Sequence, residues 1–96
     1  MKKIKGTTFT GFAFEIDEEA RNDYDLLIAL GELEDNPRKP WYIDRVAKML
    51  LGKDGFEKLR DHCRGESGRV SATKMAEEIT NIFDAIKAGE SDTKNS

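Results

Sequence analysis

Apolar residues between Val70 and Ala88 recur at intervals of three and four: Val70, Ala72, Met75, Ala76, Ile79, Ile82, Phe83 and Ile86. That spacing lines up one face of an α-helix, and its surroundings supply the ends. Ser71 stands where an N-cap hydroxyl accepts from the orphan N–H groups of the first turn. Val70 and Met75 flank it at the two hydrophobic-staple positions, and Gly89 suits the helix end. The pattern predicts a helix over 72–88. The same period in Ile43, Val46, Ala47, Leu50 and Leu51 predicts a helix over 41–51, opened by Pro40 and ended by Gly52. A shorter helix over 55–64 follows, with Asp54 as its cap and Phe56, Leu59 and Cys63 on its inner face.

Upstream, Asp17 caps a helix predicted over 18–34, with Glu18 and Glu19 in the first turn where the macrodipole favours anions. Ala20, Tyr24, Leu27, Ile28 and Leu30 form its apolar face, with Leu33 near its end. Gly31 weakens this helix by about 1 kcal/mol relative to alanine, marking either a close approach of another backbone or the onset of fraying. Pro37 and Pro40 make 36–40 a loop. Only the first residues alternate with a period of two: Phe12, Phe14 and Ile16 interleave with Ala13 and Glu15, which predicts a β-hairpin within 3–16. A lone hairpin is marginal in water, so its aromatic face packs on the helices or it pairs with another copy. Phe12, Phe14 and Ile16 are therefore the candidate oligomer edge.

The fold class predicted is mainly α (α+β): an N-terminal β-hairpin followed by about four amphipathic helices around one small core. Leu27, Leu30, Val46, Leu50, Leu59, Ile79, Ile82 and Phe83 are its expected centre. A chain of 96 residues is enough for one such domain, placed at 1–89. The polar stretch 90–96 is expected to be a disordered tail.

Charge refines this picture. Sixteen basic and nineteen acidic side chains give a net charge of −3, which carries no signature of general nucleic-acid binding. The distribution is uneven: from Glu15 to Asp35 there are nine acidic residues and one basic residue, and from Arg38 to Arg64 eight basic and four acidic ones. The simplest meaning is complementarity within the molecule or between subunits. The single cysteine, Cys63, allows no internal disulfide and suits a reducing cytoplasm. No segment reads as a signal peptide or a membrane span, so a soluble cytoplasmic protein is expected.

Candidate chemistry is sparse. His62 and Cys63 are neighbours on a helix and point about 100° apart, and one histidine with one cysteine makes no zinc set. The carboxylate pairs, Glu77 and Glu78 among them, read as solvated faces or first-turn dipole partners. Gly52-Lys53-Asp54-Gly55 lacks the frame of a phosphate loop. No catalytic residue, metal site or cofactor is expected, and the chain is not expected to be an enzyme. Trp41 and Tyr42 beside Arg38 and Lys39 form the most suggestive surface. Interleaved aromatic and basic residues can stack on bases, and two short helices joined at Gly52 can mimic a helix-turn-helix. The charges of the presumed recognition helix are mixed, however, and the plainer reading makes Trp41 an anchor of the helix start with Tyr42 at the surface.

Taken in order, Gly11-Phe12, Phe14-Glu15-Ile16-Asp17, Asp23-Tyr24-Asp25-Leu26-Leu27, Leu50-Leu51-Gly52, Phe56-Glu57-Lys58-Leu59 and Gly68-Arg69-Val70-Ser71 leading to Ile82-Phe83 resemble one family. It is that of the small tail assembly chaperones of long-tailed bacteriophages and prophages of Gram-positive bacteria. The resemblance implies a mainly helical, non-catalytic protein of the host cytoplasm. Such a protein coats the tape measure protein until tail-tube subunits replace it. It implies the tape measure protein as partner, with the tail-tube protein as a second candidate and self-association expected. Trp41, Tyr42, Arg38 and Lys39 are the expected partner-binding residues. A head–tail connector or tail completion protein, and a small helix-turn-helix regulator, are the competing readings.

Overall fold

The computed structural model describes residues 2–86 in full. Two antiparallel strands, β1 (Lys3–Thr7) and β2 (Ala13–Asp17), form the hairpin. A 3-10 turn over Glu18–Asn22 follows, then helices α1 (Tyr24–Asp35), α2 (Pro40–His62) and α3 (Ala72–Asn95). The helix stop expected at Gly89 and the tail expected over 90–96 lie outside the residues described in full.

The hairpin register follows from its side chains. Gly6 sits opposite Phe14, and a Cβ on Gly6 would come within 2.6 Å of the Phe14 ring. The ring therefore lies across the β1 backbone. Phe12, Phe14 and Ile16 all point into the core, at 8 %, 6 % and 1 % exposure. These side chains belong to the chain's own interior, so only main-chain edges of the hairpin are left to meet a second copy.

The helix expected over 18–34 is two elements. Asp17 caps the 3-10 turn through the Glu19 N–H, and Asp23 opens α1 by accepting from the N–H groups of Asp25 and Leu26. A second short acidic cap in mid-segment is what divides it, because an N-cap takes extended backbone. The rotation of α1 also differs from expectation. Leu26 and Ala29 are its buried residues, with Leu30 and Leu33 packed at the core's margin. Leu27, expected inside, is 49 % exposed.

The two helices expected over 41–51 and 55–64 are continuous in space as α2, interrupted only at Gly52, whose φ of 74° and ψ of 175° break the helical run. A positive φ is open to glycine at no steric cost, so the chain turns there without ending the packing. Ile43, Val46, Ala47 and Leu50 before the break, and Phe56, Leu59 and Cys63 after it, all face inward. α3 begins as the sequence requires: the Ser71 hydroxyl accepts from the Lys74 N–H at 3.2 Å, Met75 is buried, and Val70 is packed against the core. Ile79 and Ile82 are fully buried and Phe83 is half-buried at the margin. The result is a mainly α fold: an antiparallel hairpin and three helices around one core.

Candidate partner-binding surfaces

One polar cluster lies inside this fold. Glu78, on the inner face of α3, is 4 % exposed, a correction to its reading as a solvated carboxylate. Its position in the sequence explains the burial: it falls among Met75, Ile79 and Ile82, on the stripe that faces the core. A buried carboxylate needs donors, and the loop between the strands supplies them. The Thr8 hydroxyl donates to Oε1 at 2.7 Å and the Thr10 hydroxyl to Oε2 at 2.8 Å. Thr8 Oγ1 in turn accepts from the Phe12 N–H.

His62, at the end of α2, closes the cluster with Nε2 at 2.8 Å from Thr10 Oγ1, and its ring lies against Phe12. Thr10 has one hydroxyl proton, and it is given to Glu78. The Thr10 oxygen therefore accepts from the Nε2–H of His62, so the imidazole is a donor there and not a base for that hydroxyl. Thr10, His62 and Glu78 thus fasten the hairpin tip to α2 and α3. Next to them Cys63 is 1 % exposed; burial first, and then the negative charge of Glu78, push its thiol up to about 11. A thiol held protonated is a poor nucleophile and a poor metal ligand. Among the described residues no group of three histidine, cysteine or acidic side chains is placed to hold a metal ion, and no helix is long and apolar enough to cross a membrane.

The expected partner patch is assembled at the α1–α2 corner. Lys39 Nζ sits 5.9 Å from the centre of the Trp41 ring, and the Trp41 and Tyr42 rings are 6.1 Å apart. Trp41 is 62 % exposed and Tyr42 half-buried, with Arg38 and Lys39 exposed beside them. Trp41 is thus an outward side chain and Tyr42 the more covered of the two, whereas the plainer reading made Trp41 an anchor of the helix start with Tyr42 at the surface. No family model, curated protein or solved structure matches the chain.

Two further apolar surfaces escaped the sequence reading. The first is an open groove between α1 and α3, lined by Leu30, Leu33, Pro37, Ala76, Ile79 and Phe83. On its far side α3 carries the hairpin tip, where the Phe9 N–H donates to Asn81 Oδ1 at 2.7 Å and the Phe9 side chain is 96 % exposed.

The second is the outer side of α1. This helix carries two apolar stripes with the same i, i+3, i+4, i+7 spacing. Leu26, Ala29, Leu30 and Leu33 make the inner one. Tyr24, Leu27, Ile28 and Gly31 make the outer one, roughly half a turn away at 100° per residue. Tyr24, Leu27 and Ile28 are 74 %, 49 % and 46 % exposed, and nothing lies within 4 Å of the point where a Gly31 Cβ would stand. The duplicated spacing was the available signal, and it also explains why the rotation of α1 was misjudged. Periodicity identifies an apolar stripe but cannot choose between two.

Proposed function

We propose that the chain is a non-catalytic phage tail assembly chaperone that holds apolar helical segments of a tape measure protein before the tail tube assembles. The observation that carries this reading is the outer stripe of α1. An amphipathic helix in a small domain ordinarily keeps its second face polar; α1 instead leaves Tyr24, Leu27 and Ile28 in solvent on the side away from the core. A contiguous apolar strip of this kind marks an interaction surface, and helix-in-groove docking reads its partner through the same i, i+3, i+4, i+7 anchors. The α1–α3 groove and exposed Trp41 add apolar surface on neighbouring parts of the molecule.

The biological identity of the client comes from the ordered motif resemblance. The chemistry suits that role, since weak apolar docking repeated along a long client allows later displacement by tube subunits. Coexpression tests it. The tape measure protein should be soluble with this chain and aggregate without it. Equal rescue by an unrelated acidic helical protein would contradict the assignment, and recovery of the chain in finished particles would favour a connector role.

A further inference from the structure

The outer stripe of α1 is bordered by charge of one sign. At 100° per residue, Asp25 and Glu32 flank its Ile28 side, Glu34 flanks its Leu27 side and Asp35 closes its C-terminal end. No lysine or arginine occurs from Asn22 to Pro37. Among the described residues, intramolecular pairing leaves most of this charge unspent. Among the same residues a single ion pair joins α1 to α2, Glu32 to Arg45 at 3.3 Å, while Lys48 and Arg60 pair with carboxylates within α2 and Arg64, just past its end, pairs with Asp61.

We infer that this face takes an amphipathic helix of a partner protein whose apolar stripe is edged by lysine or arginine. Its apolar residues pack on Tyr24, Leu27 and Ile28, its backbone crosses close over Gly31, and its basic edges meet Asp25, Glu34 and Asp35. The charge excludes the symmetric alternative. Two α1 helices packed on each other would bring carboxylate edges together, and like charges brought face to face suppress such pairing. Gly31 is consistent with the same partner. It weakens the helix, a Cβ added to it would meet nothing inside the molecule, and it ends the exposed stripe, where a small residue lets a second helix approach. The inference rests on reading the chain as a binding module, and it specifies the chemistry of what is bound.

Two synthetic amphipathic peptides of about twenty residues, long enough to form helices on docking, test it by titration against the full chain. They share one leucine–alanine stripe and differ only in lysine or glutamate edges. The lysine-edged peptide should bind at least about tenfold more tightly, with the preference shrinking as salt is added. Ile28→Ser and Gly31→Leu should each weaken its binding by about tenfold while leaving the melting transition cooperative. Replacing Asp25 and Glu34 together by lysine should move the preference to the glutamate-edged peptide.

Equal binding of the two peptides, or unchanged binding by the Ile28→Ser and Gly31→Leu variants, overturns the inference. So does a dimer of the chain itself that Ile28→Ser dissociates. Loss of tape measure rescue with peptide discrimination intact would count against the chaperone reading alone. Rescue preserved without peptide discrimination would count against the basic-edged partner alone.

Discussion

Thr8 Oγ1 donates to Glu78 Oε1 across 2.7 Å, joining residues seventy positions apart. This bond holds the hairpin tip on α3, and it is buried, so its loss leaves a carboxylate oxygen without a donor and the Phe12 N–H without an acceptor. Thr8→Val keeps the shape and removes the hydroxyl. It should destabilise the protein by about 1–3 kcal/mol, the cost of stranding buried polar groups, as read by urea titration. Glu78→Gln should be milder, because the amide oxygen still accepts from one of the two threonines.

The raised thiol of Cys63 makes a signed prediction about alkaline stability. An ordinary thiol titrates near 9.0, and in the fold this one is held protonated to about 11 by burial and by Glu78. Between those values the unfolded chain has lost the proton and the folded chain keeps it. Stability therefore falls with rising pH in that window, after being fully present below it. Melting temperatures should drop more steeply above pH 9 for the native chain than for Cys63→Ala; parallel curves would mean that the thiol contributes nothing. Alkylation by iodoacetamide at pH 8 should likewise be slow until denaturant is added.

The two stripes of α1 are separated by paired substitutions. Leu26→Ala removes a side chain that is 2 % exposed and should cost about 2–4 kcal/mol through lost burial and the cavity left behind. Leu27→Ala, one position along and 49 % exposed, should cost less than about 1 kcal/mol, near the level of surface substitutions. Reversed magnitudes in a denaturant titration would restore the rotation first expected for this helix.

Much of the fold was legible because several signals agreed at each place. In α3, the three-to-four spacing, the Ser71 cap and the Val70–Met75 flank all pointed the same way. In α2, the spacing of Ile43, Val46 and Leu50 and the glycine at position 52 located both helical halves and their break. Legibility failed where a local signal was double-valued or the cause was distant. α1 offered two apolar stripes, and only packing against α2 chose between them. Glu78 could be placed on the inner face by counting, but its acceptance there depends on Thr8 and Thr10, about seventy residues away, which no local pattern reveals. The aromatic patch was foreseen as residues, with an outward Trp41 required by one of its two readings; its exposure is what a partner-binding residue needs.

Gly31 should behave oppositely in stability and in binding. Its helical backbone and the empty space around it mean that alanine fits without strain, raising stability by up to about 1 kcal/mol. A higher melting temperature for Gly31→Ala, with no change in the folded circular dichroism, is the expected result. A lower one would mean that a neighbour already occupies that face.

Docking of the client on the outer face of α1, as proposed, is read by hydrogen exchange of the chain alone and in its copurified complex with the tape measure protein. Segments of low local stability exchange through local opening, and a helix clamped on its second side should open less. Exchange across Tyr24–Asp35 should slow on binding, with little change in the interior of α3 around Ile79 and Ile82. Binding that slows exchange elsewhere and leaves Tyr24–Asp35 unchanged would contradict it.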